Sequence, residues 1–190
     1  MTNLTLDLKT VNLTDDQYYQ LCIKNKNLCF ERNANGDLVI MSPTGGETGN
    51  RNGKIIQQLF NWSDEDETGI PFDNATGFTL PNGADRAPDA AWIPIEKWNA
   101  LLPKQRQKFL PLCPDFVVEL MSPSDSLKAT QQKMQEYLDN GAKLGWLINR
   151  KTRRVEIYRQ DKEVEVLNNP STLSGENLLP GFILKLAKIW

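Results

Sequence analysis

Residues Pro114 to Asp125 read PDFVVELMSPSD, and the alternation inside this stretch governs how the rest of the chain is arranged. Asp115 to Met121 is rich in the β-branched and apolar side chains that strands favour. Side chains alternate along a strand, so Asp115, Val117, Glu119 and Met121 share one face. Phe116, Val118 and Leu120 share the other. A continuous apolar run of this kind predicts a strand buried on both sides. Glu119 then stands in an expensive place. A carboxylate removed from water needs an ion pair, hydrogen bonds or a metal.

Downstream, Ser122-Pro123-Ser124-Asp125 reads as a turn and cap, followed by a helix from Ser126 to Asn140 that stops at Gly141. Leu144 to Asn149 and Val155 to Arg159 form a hairpin across the basic turn Arg150 to Arg154. Val164 to Leu167 adds an edge strand, and a final strand follows Leu178-Leu179-Pro180-Gly181 and ends near Trp190. Upstream, Asp89 to Ile93 is a strand introduced by Pro88, with β-like pieces at Ile70 to Phe72 and Gly77 to Leu80. Glu96 to Lys108 reads as a short helix plus loop.

Nearer the N-terminus, Thr14 caps a helix running to about Lys26, its acids suiting the dipole. Leu28 to Glu31 and Leu38 to Met41 pair across Asn33-Ala34-Asn35-Gly36. Thr44 and Glu47 have capping-box spacing, and a helix runs on to about Ser63. Ile55, Ile56, Leu59, Phe60 and Trp62 give it helical periodicity. Strand pairs around one crossover helix imply an α/β (α+β) fold, a mixed β-sheet flanked by helices. The 190 residues suit one domain, with the N-terminal helix and hairpin (about 14–41) packed on its core.

Composition narrows the chemistry. There is no histidine, which excludes Ser-His-Asp and Cys-His catalysis, His-ligated zinc and any His general base. The net charge of −2 gives no general pull toward polyanions, though it leaves room for a local basic groove. Cys22, Cys29 and Cys113 have no paired metal spacing and read as reduced thiols. No apolar run is long enough for a membrane span, and MTNLTLDLKT does not resemble a signal peptide. The expectation is a soluble, cytoplasmic protein.

Asp89 poses the same question as Glu119, since it opens the otherwise apolar strand PDAAWI. Each acid alone fits a salt bridge or a polar group near a strand end. Two such acids on neighbouring strands suit a hard divalent cation, Mg²⁺ or Mn²⁺, which keeps several waters and binds substrate phosphate. The acids are therefore expected close together at one end of the sheet.

Taken together, RAPDAAWI, PDFVVELMSPSD and QQKMQEYLDNGAKLGWLINRKTRRVEIYR resemble the Uma-type family of "putative restriction endonucleases", part of the PD-(D/E)XK nuclease superfamily. FERNANGDLVIMSPTGGETGNRNGKI is similar to the family's N-terminal hairpin and helix, and LPGFILKLAKIW to its C-terminal end. The resemblance implies a restriction-endonuclease-like fold and a metal-dependent endonuclease acting on DNA. It matches Asp89 to the motif aspartate and Glu119 to the acid of (D/E)XK, both as metal ligands. The motif lysine would fall at Met121, and the resemblance moves it to Lys133 on the following helix. Glu47 resembles an acid that some superfamily members add to the metal site, beside its reading as a capping-box partner of Thr44. Gln131 resembles polar residues lining such sites, or else makes a buried side-chain hydrogen bond. Near Gly49 and Asn50 the chain lacks a histidine that relatives often carry.

Lys133 falls roughly 40° off the apolar stripe of its helix, beside Tyr137. From there its stem can follow apolar surface and deliver the ammonium to the sheet. Tyr137 reads as core. Asp115 lies about 13 Å from Glu119 along an extended strand and reads as a strand-opening residue. The turn Arg150 to Arg154, like Lys104, Arg106 and Lys108, suits either phosphate contact or solvent. A homodimer is compatible with this reading, because cutting both strands of a duplex takes two sites. The competing expectation is a degenerate nuclease fold that binds nucleic acid or a protein partner without cutting.

Overall fold

The computed structural model describes residues 4–8, 10–11 and 13–190. In chain order the strands are β1 (Leu4–Leu6), β2 (Cys29–Arg32), β3 (Leu38–Met41), β4 (Gly69–Phe72), β5 (Phe78–Thr79), β6 (Asp85–Arg86), β7 (Ala90–Pro94), β8 (Phe116–Leu120), β9 (Leu144–Asn149), β10 (Arg154–Arg159), β11 (Glu165–Asn168), β12 (Thr172–Ser174) and β13 (Ile183–Lys185). The helices are α1 (Asp15–Lys24), α2 (Gly46–Asp66), α3 (Ile95–Ala100), α4 (Pro103–Arg106) and α5 (Leu127–Asp139). The result is a mixed α+β fold. None of the described helices is long and apolar enough to cross a membrane.

The central sheet has six strands in the order β11-β10-β9-β8-β7-β4. Its neighbours are antiparallel except β8 and β9, which run parallel because α5 carries the chain back between them. The alternation expected for the Pro114 stretch holds. Phe116, Val118 and Leu120 pack with Ile55 and Leu59 of α2 and with the C-terminal residues Leu173, Phe182 and Leu184. Val117 and Met121 face Met134 and Tyr137 of α5. The sheet is thus covered by α2 and the C-terminal hairpin on one side and by α5 on the other.

Local signals explain the helices that carry the site. Thr14 closes a full capping box on α1, accepting from the Gln17 N–H while the Gln17 side chain accepts from the Thr14 N–H. Ser126 caps α5, and Gly141 supplies the positive φ that turns the chain out after it. The box expected between Thr44 and Glu47 does not form. The N-cap is Gly45, no side chain caps the helix, and Glu47 turns instead to arginines. α2 also runs one turn beyond the expected end at Ser63.

A second sheet, β1-β3-β2-β6-β5, joins the N-terminal hairpin to the segment before β7. β6 escapes a pattern reading because it is two charged residues long. The Arg32–Asp85 ion pair, 2.7 Å and buried, stitches β2 to it, and Arg32 Nη1 also donates to the Leu13 carbonyl. The chain does not end on one long strand. Thr172 to Ser174 pairs with Ile183 to Lys185 as a small separate hairpin. Cys22, Cys29 and Cys113 are unpaired.

Two glycines separate close packing from helix propensity. A Cβ on Gly69 would collide with the Ile93 carbonyl and the Trp92 ring. Gly53 is exposed inside α2 with open space around it. Gly69→Ala is expected to cost about 2 kcal/mol or more through overpacking, whereas Gly53→Ala should add about 0.5–1 kcal/mol. Urea unfolding of the two variants checks both signs.

Candidate active site

β7 and β8 run antiparallel with Ala90 opposite Val118, so continuing the register by one residue sets Asp89 across from Glu119. Asp89 lies just ahead of its strand and is held at both oxygens. Oδ2 accepts from the Leu120 N–H at 2.7 Å, and Oδ1 accepts from Asn52 Nδ2 at 2.6 Å. Asn52 occupies the buried stripe of α2 formed by Thr48, Asn52, Ile55, Leu59 and Ser63. This helix therefore aims one amide at the sheet among its core side chains.

Glu119 is 8% exposed. Its Oε1 accepts from the Tyr137 hydroxyl at 3.1 Å and from Lys133 Nζ at 2.8 Å. Lys133 and Tyr137 are one turn apart on α5, so one helical face delivers both donors to the strand beneath. The same Lys133 ammonium lies 2.8 Å from Glu31 Oε1, on β2 of the second sheet. Glu31 continues the network, accepting from the Ala87 N–H at 3.2 Å and pairing with Arg86 at 3.4 Å. Arg86 reaches Glu136 of α5 at 2.6 Å. Charges alternate along Glu119, Lys133, Glu31, Arg86 and Glu136.

These environments move the proton equilibria in different directions. Burial alone would lower Lys133, but Glu119 and Glu31 outweigh it and raise its pKa, keeping the ammonium charged. Burial would raise Glu31, yet Lys133, Arg86 and the Ala87 N–H bring it below the ordinary range. Burial pushes Glu119 up to about 7, since Lys133 compensates only in part and the charges of Asp89 and Glu31 add to the rise. Burial also raises Asp89 against the hydrogen bonds from Asn52 and Leu120. Lys133 favours an ionised Glu119 while the rest of the site disfavours it. A single ammonium shared between two acids does not neutralise both, so Glu119 stays above the ordinary carboxylate range.

Glu31, Asp89, Glu119 and Lys133 line one open cavity of about 990 Å³, with Arg86 and Arg150 also on its wall. The structure thus brings Asp89, Glu119 and Lys133 together, and Met121 lines the same space. Glu47 borders the cavity, but its carboxylate is turned to Arg51 at 3.2 Å and Arg150 at 3.7 Å. Gln131 points elsewhere. Its amide donates to both oxygens of Glu156 at 3.0 Å, in a buried cluster with Tyr158. Glu156 and Glu119 both pair with Leu147, one strand apart. Asp115 lies just ahead of β8, at the end away from Glu119, fully buried between Lys97 and Lys143. Lys108 pairs with Asp16, and Arg106 stacks on Trp98.

Sequence reasoning missed Glu31, Arg86 and Asn52. No local signal marks Glu31, a charged residue in a four-residue strand beside another charge. Asn52 carried a signal, being a polar residue on the apolar stripe of a helix.

The raised Glu119 carries a testable pH dependence. In the fold it holds its proton up to about pH 7, against an ordinary value of 4.5. Between those values the folded state binds the extra proton, so this contribution to stability is full below the window and is lost as pH rises through it. Melting temperatures in EDTA should therefore carry a falling component across that window, which Glu119→Gln removes. An unchanged slope in the variant would place the titrating proton on another group.

Comparisons with known proteins identify the family and the fold. The Uma2 family, described as "Putative restriction endonuclease", matches residues 15–187. No curated protein matches the chain. Among solved structures, the chain resembles a "putative nuclease belonging to DUF820" from Anabaena variabilis ATCC 29413, with a TM-score of 0.71 and 17% identity over 85% of this chain and 89% of that one. At that identity the likeness concerns the fold. The family match takes in every strand and helix that lines the cavity, and the chain belongs to the Uma2 family of restriction-endonuclease-like proteins.

Proposed function

We propose that the protein is an endonuclease that hydrolyses phosphodiester bonds in DNA, with Mg²⁺ or Mn²⁺ held by Asp89 and Glu119. The observation that carries this reading is the meeting of those two carboxylates with Lys133 on the wall of one open cavity. Among the described residues no group of three or more acidic or thiol side chains gathers as a metal cage. Two carboxylates still fit the proposed ion. Mg²⁺ commonly takes one or two carboxylates from the protein and completes its shell with water and substrate phosphate. Both acids offer hard oxygen, and no described residue hydrogen-bonds Glu119 Oε2. When bound, such an ion would polarise a phosphoryl oxygen and acidify a water molecule.

The chain's own residues do the positioning. Asn52 and the Leu120 N–H fix Asp89, and Tyr137 fixes Glu119. Lys133 places a permanent positive charge beside Glu119, where it stabilises charge developing on the phosphate. Its position on α5 replaces a lysine on β8, because Met121 points from the same strand face into the same cavity. Glu31 keeps the ammonium from collapsing onto Glu119 alone.

Two measurements test the proposal. Mn²⁺ or Mg²⁺ should raise the melting temperature by linkage, since the ion binds only the folded pair of acids. The change Asp89→Asn with Glu119→Gln should abolish that gain, and an undiminished response would put the ion elsewhere. In a plasmid-cleavage assay with Mn²⁺, Lys133→Ala should lose roughly a hundredfold in rate while keeping the metal-induced stabilisation. Adding Met121→Lys should restore part of that loss. If the parent cuts neither DNA nor RNA, the non-cleaving binder takes the place of this reading.

A further inference from the structure

The same cavity carries a second charged cluster that the hydrolytic site does not use. Glu47 on α2 and Arg150, in the turn after β9, both line it. Glu47 Oε2 lies 3.2 Å from Arg51 Nη1 and 3.7 Å from Arg150 Nη2. Two guanidiniums from elements distant in sequence therefore converge on one carboxylate. Their exposure is unequal. The side chain of Glu47 is 79% exposed, against 23% for Arg51 and 13% for Arg150. Arg150 is built into the wall and Arg51 stands behind Glu47 on the same helix, while the acid can swing into water without a desolvation cost.

The cluster is also short of acceptors. Arg150 Nη1 is buried with no hydrogen-bond partner, a state that buried guanidinium nitrogens rarely keep. Burial, and then the neighbouring Arg51, push the Arg150 pKa down, as expected for a cation whose neutralisation is incomplete. A ligand with one negative charge and two acceptor oxygens would satisfy both guanidiniums. A backbone phosphodiester has those features, and arginine forks match them.

We infer that Arg150, supported by Arg51, is a phosphate-binding site for the nucleic-acid backbone, and that Glu47 occupies it as an internal stand-in until substrate displaces the carboxylate. This rests on the reading that the cavity receives nucleic acid. It adds a positioning contact for a phosphate on the same strand, distinct from the carboxylate pair where hydrolysis is placed. Such a contact sets the register of the strand without reading its sequence.

The test is binding of a labelled DNA duplex by fluorescence anisotropy over a salt series, with Ca²⁺ in place of Mg²⁺. Glu47→Gln keeps the shape, removes the competing charge, and should tighten binding roughly threefold or more. Arg150→Ala should weaken it roughly tenfold and lower the salt slope by about one. Arg150→Lys retains the charge but not the fork, so it should bind more weakly than the parent with the parent's slope. It also serves as the second variant if Arg150→Ala melts below the assay temperature.

A weaker-binding Glu47→Gln would show a merely structural ion pair and overturn the inference. So would Arg150 variants that bind like the parent; in either case the proposed nuclease function stands. A parent that binds neither duplex nor single strand overturns both readings.

Discussion

Everything at the site depends on one ammonium shared by two buried carboxylates. Lys133 stands equidistant from Glu31 and Glu119, and those acids come from different sheets. Burial lowers the pKa of a lone lysine, and two acids this close repel. Each group is tolerable because of the others. Removing one partner of a buried pair typically costs about 3–5 kcal/mol, so α5, β2 and β8 are held in a fixed relation by charge as well as by apolar contact. Arg86 extends the constraint, since it ties Glu31 back to α5 through Glu136.

The same contact orders the chemistry. Burial pushes Glu119 up to about 7, Lys133 offsets the rise only in part, and the charges of Asp89 and Glu31 add to it. Asp89 is rigidly held by a backbone amide and by Asn52. Asp89 is thus fixed at both oxygens, while Glu119 shares its permanent cation with Glu31. On the proposed reading, a divalent cation binding these two acids would displace any proton that Glu119 holds. The same cavity adds Arg150 and Glu47, a pair whose acid is largely solvated while its arginine is mostly buried.

Much of the fold was legible in the chain. The faces of β8, the cap of α5 at Ser126 and its end at Gly141 follow from local stereochemistry, and each is found where those rules put it. Asp89 and Glu119 could be singled out because a charge inside an apolar strand contradicts its own pattern. Lys133 could not be separated by periodicity from an ordinary surface lysine, and it stood out only through likeness to a family. The Thr44–Glu47 spacing misled because a capping box competes with any stronger partner. Here two arginines, one of them 103 positions away in sequence, outbid the helix terminus.

By itself, then, the sequence determined the longer helices and strands, which faces they bury, and which two acids are out of place in the core. These are properties of neighbours along the chain, where propensity and alternation act. Only the tertiary structure decided that Glu31 and Arg86 belong to the site, that Gln131 serves Glu156 instead, and that Glu47 faces arginines. Each of those outcomes depends on strand order and on how two sheets meet over α5. Ion pairs between residues tens of positions apart leave no periodic trace, because their partners are chosen by distance in space and by the low dielectric that makes an unpaired charge untenable.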